Sequence, residues 1–336
     1  GFSYSLATIY IFLTITQTFF QNNLFTLCHL IYTDTFYMKR KWIRWVSWIL
    51  LTPIILFVIL MVLLYVPPVQ NLLRREVTAY ASKATGMQIQ VERIDLRFPL
   101  NLLVRGVEVI QQPDTLLSLE SLNVRVQAWP LIKGKVEVDE VTLNRVAVNS
   151  ADLMEGMKIK GVLGRFFLQS HGVDLSNEVA VINQVELSDT HVQLLMNDTT
   201  TTPKDTTASA PINWKVALHQ LKLKNVSFSM QLPADSMRMA THIGEAAIDD
   251  AQADLKNQYY DLKKFLLSGT SASYDTGTAE PAEGFDASHI AVRDIRIALD
   301  SLLYKGRDMN AVIREFTMNE RSGLSVTSLT GRAYSN

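Results

Sequence analysis

Two hydrophobic patterns divide the chain: a long uncharged run near the N-terminus, and a far longer stretch with the alternation of β-strands. No charged residue occurs in residues 45–66. A helix of this length, at about 1.5 Å rise per residue, covers the ~30 Å apolar core of a bilayer. We therefore predict a transmembrane helix over 45–66, and the side chains expected to anchor it are Trp45, Trp48, Ile49, Phe57 and Tyr65.

Basic residues before this run predict its orientation. Residues 38–44 form a short segment whose positive charges are Lys39, Arg40, Lys41 and Arg44. The positive-inside rule places this segment in the cytoplasm and everything after residue 66 across the membrane. A buried core helix is the alternative for 45–66, but the length of the uncharged run and its basic flank argue against it.

The first 37 residues differ from the rest because they contain no Lys or Arg. Their apolar stretch, Leu6–Phe20, is short for a membrane span. Met38 followed by a basic run is typical of a protein start. We expect residues 1–37 to be an upstream extension of the reading frame, and a weak additional membrane helix is the alternative.

Pro67 and Pro68 end the predicted span, because proline cannot continue the hydrogen-bond ladder of a helix. Apolar residues then recur at helical spacing as far as Ala84, and Gly86 suits the left-handed conformation that closes a helix. Residues 67–86 are thus predicted to form a short amphipathic helix. We expect it to cover the open end of the fold that follows; lying on the membrane surface is the alternative.

From Met87 onward apolar and polar residues alternate with the period of two that is typical of strands. The pattern apolar-x-apolar-x-x-apolar-x-apolar recurs, beginning at Leu117, Val141, Leu221 and Ile290. Its odd step would turn a regular strand over, so a β-bulge or a bend onto a facing sheet is predicted there. Coincidence in a chain rich in Val and Leu is the alternative to an internal repeat.

Polar stretches divide this β-rich part. We expect a β region over 87–196, a polar linker over 197–211, and a continuing β-repeat region over 212–336 that is cut short at its C-terminus. The Ser- and Thr-rich residues 268–284 predict a second loop. A short helical turn is predicted over 156–169.

Composition excludes several function classes. The chain is 48% hydrophobic and 19% charged with a formal net charge of −1, so no global field draws it to nucleic acid. The single cysteine, Cys28, excludes an intrachain disulfide. The histidines lack the spacing of a zinc site, and no nucleophile motif or phosphate-binding loop is present. We therefore predict no catalytic, cofactor or metal residues and no enzyme activity.

Asp followed by Ser or Thr and then an apolar residue or Thr recurs along the chain. This triplet resembles an O-glycosylation sequon of bacterial periplasmic proteins, and ordinary turn chemistry is the alternative reading. The hydroxyl residues of the five triplets are Thr115, Thr199, Thr206, Ser236 and Ser301.

Residues 38–150 resemble the N-terminal part of the AsmA/TamB family of envelope proteins. The resemblance is carried by the basic-flanked uncharged run and by the helix that ends Ala81-Ser-Lys-Ala-Thr-Gly86. It continues in Ile94-Asp-Leu96-Arg-Phe98-Pro-Leu100 and in Trp129-Pro-Leu131-Ile-Lys-Gly134. The remainder of the chain shares only the style of the β repeat.

The resemblance implies a mainly β fold. An N-terminal transmembrane helix and a short amphipathic helix would precede an elongated, curled sheet that forms an apolar-lined trough. An ordinary packed β core is the alternative for the repeat positions. The candidate lining residues of the trough are Leu117, Leu119, Val141, Leu143, Val146, Val148, Leu221, Leu223, Val226, Phe228, Ile290, Val292, Ile295 and Ile297.

The same resemblance implies a role in outer-membrane biogenesis. The protein would sit in the inner membrane of a Gram-negative bacterium through one span, with its bulk in the periplasm. Its partners would be phospholipid acyl chains carried along the trough. Alternatively, it would be a scaffold that assembles outer-membrane proteins with a barrel partner, although the C-terminal domain that would contact such a barrel is missing from this sequence.

Overall fold

The computed structural model describes most of the chain after residue 65. The described residues are 66–97, 100–111, 114–127, 130, 137–150, 156–174, 177–196 and 213–335, together with isolated helical positions between 51 and 62.

The first element is the helix α1, Pro67–Thr85. Proline suits the first turn of a helix, where its missing N–H would have no partner in any case. Gly86 ends the helix in the left-handed conformation, at φ 71°, and its N–H donates to the Ser82 carbonyl oxygen over 3.0 Å. The helix predicted over 67–86 is confirmed.

Twelve strands follow and form one sheet in chain order. Their bounds are β1 Gln88–Arg97, β2 Asn101–Gln111, β3 Asp114–Val126, β4 Val138–Asn149, β5 Met157–Asp174, β6 Val179–Met196, β7 Lys215–Leu232, β8 Met237–Asp254, β9 Tyr259–Asp275, β10 His289–Lys305, β11 Asp308–Glu320 and β12 Ser325–Ser335. The prediction of a mainly β protein is confirmed.

Neighbouring strands are antiparallel throughout, apart from β6 and β7, which run parallel. Parallel neighbours cannot be joined by a tight hairpin turn, and β6 ends at Met196 whereas β7 begins at Lys215. The predicted polar linker, 197–211, lies in this interval and outside the described residues.

The irregularity predicted within the repeat is confirmed. Arg145, Asn225 and Asp294 stand at the odd step of three repeats, and their φ angles are 46°, 54° and 56°. Each drops out of the pairing with its neighbouring strands. The extra residue restores the alternation, so apolar side chains on both sides of it share one face.

The helical turn predicted over 156–169 is wrong, because Met157–Asp174 is strand β5 and pairs with a neighbour on each side. Gly164 allows the close approach of a neighbouring strand. A Cβ at this position would lie 2.7 Å from the Asp189 Cβ, so only glycine lets the two strands approach.

The loop predicted over 268–284 is partly wrong, since β9 continues to Asp275 and the loop runs from 276 to 288. Small polar side chains do not exclude a strand when both neighbouring strands supply backbone hydrogen bonds. Residues of this stretch pair with β8 and with β10.

Several N-terminal predictions fall outside the described residues. They include the proposed extension 1–37, the basic segment 38–44 with its orienting charges, and most of the span 45–66 with all of its predicted anchoring side chains. In the described part of the chain, no helix combines the length and the apolar character needed to cross a membrane.

Candidate functional site

The register of the sheet brings apolar side chains from all of its strands into line. Residues directly opposite each other on neighbouring strands project from the same face. One such row, named the central row, takes one apolar residue from each of the twelve strands. Its members are Ile94, Val104, Leu122, Leu143, Phe166, Leu187, Leu223, Ala246, Leu267, Ile297, Phe316 and Leu329.

A second apolar row lies beside the central row on the same face, two residues away on each of β1 to β10 and three residues away on β11. It extends from β1 to β11, and its members are Leu96, Leu102, Val124, Val141, Leu168, Val185, Leu221, Ile248, Phe265, Leu299 and Ile313. We call the face that carries these rows the apolar face. All of the predicted lining residues lie on it, because the repeat positions keep their facing across the bulge.

In the described part of the chain the apolar face has no second layer. Each strand makes its extensive contacts with its neighbours in the sheet, and α1 makes them with β1. Among the predicted lining residues, only Leu119 reaches burial, at 9% exposure, whereas Val148 and Phe228 remain 37% and 40% exposed. No large side chain of the described residues is fully buried. These side chains are more exposed than those of the packed core considered as the alternative.

The opposite face is mainly polar, although Leu103, Phe167 and Leu266 also lie on it. A row beside the bulge passes from β1 to β9 through Arg93, Arg105, Ser121, Asn144, Arg165, Ser188, Lys224, Glu245 and Ser268. Adjacent members bond to one another where their lengths allow, as when the Asn144 amide donates to the Ser121 hydroxyl over 3.0 Å. We call this face the polar face.

The bulges align across the sheet into a polar line. Glu120 and Arg145 form an exposed ion pair, and the hydrogen bond from Arg145 lowers the pKa of the Glu120 carboxyl. Further along the line, the Asn225 amide donates to an Asp189 carboxylate oxygen over 2.8 Å. Such pairs hold the unpaired bulge residues of neighbouring strands together.

A second bulge line was missed by the sequence reasoning. In β7, His219 drops out of the pairing opposite Asp250, and its Nδ1 lies 3.0 Å from an Asp250 carboxylate oxygen. Asn183 and His171 form a similar contact of 3.1 Å on β6 and β5. The sequence did contain a signal for this second bulge line. The apolar residues Leu218 and Leu221 are three positions apart, which is the same odd spacing that predicts the bulge in the repeat.

The helix α1 lies along the edge of β1. Gln70 and Arg74 donate side-chain hydrogen bonds to the carbonyl oxygens of Leu96 and Glu92, over 3.0 and 2.6 Å. The Ile89 N–H donates to the Ser82 hydroxyl oxygen over 3.0 Å. These bonds satisfy backbone groups of β1, which has one partner strand within the described sheet, and covering an edge strand in this way is how proteins protect sheet edges.

The helix α1 contacts β1, at the end of the sheet that it is expected to cover. Polar side chains make the hydrogen bonds to β1, while Leu72 and Tyr80 are 57% and 56% exposed. An edge strand presents free N–H and C=O groups, so side chains that form hydrogen bonds cover it better than apolar side chains do.

The predicted glycosylation residues occupy different settings. Thr115 is exposed near the start of β3, and Ser236 lies in the turn after β7 with φ 49°. Ser301 is half-buried within β10. Thr199 and Thr206 lie outside the described residues.

No protein-family model matches the chain, and no curated protein matches it significantly. Within the ranges that the structure describes, no group of three or more His, Cys, Asp or Glu side chains is placed to hold a metal ion.

Proposed function

We propose that this protein carries phospholipid between membranes, with the acyl chains held against the apolar face of its sheet. The supporting observation is the central row, which is apolar on every strand and has no second layer over it in the described part of the chain. An acyl chain gains about 0.8 kcal/mol for each methylene removed from water. A face left half-exposed by its own fold can supply that contact.

The length of the row suits a conduit better than a single pocket. Twelve strands at about 4.8 Å spacing place β1 and β12 roughly 50 Å apart along the sheet. Because every strand contributes an apolar residue, a chain moving along the row meets no polar barrier. Passage along the row therefore needs no step in which the acyl chain re-enters water.

The cellular setting comes from the sequence. The uncharged run 45–66 with its basic flank would hold the protein in the inner membrane of a Gram-negative bacterium and place the sheet in the periplasm. With the resemblance to the AsmA/TamB family, this setting suggests a non-enzymatic role in outer-membrane biogenesis. The lipid would then travel along the sheet away from the anchored end.

Site-specific photo-crosslinking of the full chain tests this proposal. A photoreactive residue at Leu143 or Phe228, on the apolar face, should capture phospholipid in cells. The same residue at Asn144 or Lys222, on the polar face of the same strands, should capture far less. Equal capture from both faces, or phospholipid capture from neither, would reject the lipid conduit.

A second function, assembly of outer-membrane proteins by strand pairing, is favoured by the other edge of the sheet. In the described chain β12 pairs only with β11, and most of its residues are exposed. A client strand or a barrel partner could add to that edge through backbone hydrogen bonds. Protein rather than lipid captured from Thr327 on β12 would support this function.

A further inference from the structure

A hollow extends over β6 to β10 and the turn after β11, and most of the residues that line it lie on the polar face. Its lining also includes Phe228, Thr241, Ala272 and Val292, which form one row on the apolar face. Its volume is about 470 Å³, which is within the range of small-ligand pockets. Basic side chains surround it, and among the described residues that line it there is no Asp or Glu. The basic lining residues are His191, His242, Arg293 and Arg321.

Small side chains make the hollow. Ser229, Ala240, Ser273 and Ala291 stand opposite one another on successive strands, so they form one row on the polar face. The adjacent row on one side of it carries the longer Gln231, Arg238 and Asp275, and the row on the other side carries two imidazoles, so the small row between them is recessed. Arg321 lies at the end of this row, because its backbone N–H donates a hydrogen bond to the Ala291 carbonyl oxygen over 2.9 Å.

A second row carries the imidazoles. His191, Ser227, His242 and Ser271 stand opposite one another from β6 to β9. Arg293 follows Val292, which pairs with Ala272, and so it lies beside Ser271 at the end of this row. At about 4.8 Å between strands, the backbones of β8 and β10 are roughly 10 Å apart, so side chains from both can reach one small anion.

The local contacts of the basic lining residues leave some of their N–H groups available to bind a ligand in the hollow. The Ser227 hydroxyl lies 2.9 Å from Nδ1 of His242. When the hydroxyl donates to Nδ1, the ring carries its proton on Nε2 and can donate it to a ligand. Neither Arg293 nor Arg321 forms an ion pair with a carboxylate of the described chain, whereas Arg296 on β10 and Arg314 on β11 do.

The geometry points to a binding site for a phosphate group in this hollow. Guanidinium groups bind phosphate through paired hydrogen bonds, and imidazole and hydroxyl donors complete the coordination of its remaining oxygens. The recess gives the anion a seat that isolated surface arginines lack. The phosphate belongs either to free phosphate or to a lipid headgroup, because the recognised chemistry is the same.

The first test is calorimetric titration of the full chain in a neutral detergent with inorganic phosphate. We expect saturable binding that the double substitution Arg293→Gln and Arg321→Gln weakens at least about tenfold, the loss expected for charge-assisted hydrogen bonds. The control substitutes Arg296 on β10 and Arg314 on β11 with Gln, removes the same charge and should change the affinity by less than about twofold. No saturable binding, or an equal loss in the control, would overturn the proposal.

A second variant separates the hollow from its charge. Ala240→Phe fills the recess, leaves every basic residue in place and alters an exposed position, so the sheet should form normally. We expect phosphate binding to be lost. Unchanged binding in this variant would mean that the surface charge binds phosphate without the hollow, which contradicts the proposal.

Competition identifies the source of the phosphate. Phosphatidylglycerol in mixed micelles should displace bound phosphate if the site accepts a headgroup, and should leave it in place if only free phosphate fits; both results support phosphate recognition. Most residues that line the hollow lie on the polar face, and Leu223 is not among its lining residues. Leu223→Asp, which tests the conduit, should therefore leave phosphate binding unchanged, and the two proposals can fail separately.

Discussion

The two faces of the sheet are built from the same strands and differ in what their side chains can bind. Leu143 and Leu223 lie in a row that is apolar on all twelve strands, whereas Asn144 and Lys224, the next residues along the chain, lie in a row of polar groups. Strict alternation would not keep this separation along strands of up to 18 residues. Each odd step in the apolar pattern would move the apolar side chains that follow it to the other face. The bulge lines restore it, so the separation depends on a few irregular residues.

The largest effect should therefore come from breaking a bulge line. In Gly164→Val, the new Cβ would lie 2.7 Å from the Asp189 Cβ and 2.8 Å from the Asp189 carbonyl oxygen, before the rest of the valine side chain is added. The strands must separate, and we expect the free energy of unfolding to fall by about 3 kcal/mol or more. Denaturant unfolding measures this change.

Gly331→Ala is the matched control, because nothing lies within 4 Å of a Cβ at that position on β12. Its stability should change by less than about 1 kcal/mol. A Gly164→Val protein as stable as the control would show that the bulge line tolerates side chains there and does not constrain the two faces.

The next effect tests the apolar face directly. Leu223→Asp puts a carboxylate in the central row, where an open face lets it reach water and a packed core would not. We expect a folded protein whose lipid affinity falls about tenfold, since losing contact with two methylenes costs about 1.6 kcal/mol. Mass spectrometry of co-purified lipid measures the loss.

Lys222→Glu, on the neighbouring position of the polar face, serves as the control and should keep its lipid. A Leu223→Asp protein that does not fold would favour the alternative in which the apolar rows belong to a packed core. One that folds and retains its full lipid content would reject the conduit at this position.

A smaller effect is expected at the edge of the sheet. Arg74→Ala removes the hydrogen bond to the Glu92 carbonyl oxygen, and we expect a loss of about 1 kcal/mol in local stability. Hydrogen exchange of the β1 amides should become faster. Arg75→Ala, the adjacent exposed residue, is the control, and equal exchange in the two variants would contradict the edge-covering role of α1.

The smallest effect lies in the loop between β9 and β10, away from both faces. N–H groups of Ala282 and Ser288, followed by His289, hydrogen-bond the Asp286 carboxylate and lower its pKa from 3.8 to about 2. Since the folded pKa is lowered, this group stabilises the loop above pH 3.8, and its contribution disappears as the pH falls through about 2.

NMR shifts of the Ala282 and Ser288 amides should follow that titration. In Asp286→Asn these amides should show no change over the same pH range. A titration in the wild-type protein at the ordinary pKa of 3.8 would contradict the hydrogen-bonded arrangement of this loop.

The sequence by itself determined the period of the strands, the helix ended by Gly86, and the side on which Leu221, Leu223, Val226 and Phe228 meet. These features are local, because alternation and turn preferences act between residues close together in the chain. Even the bulge was readable, since an odd step in an apolar pattern has few structural solutions.

Only the tertiary structure decided which rows form, which turns are absent and where the polar hollow lies. Gly164 looked like part of a helical turn, because the sequence does not reveal that Asp189 of the next strand passes within van der Waals distance. His242 and Arg293 are far apart in the chain, and the register of β8, β9 and β10 brings them to one recess. Register is a property of pairs of strands, so no single segment encodes it, and the polar site that depends on it is visible only in the folded sheet.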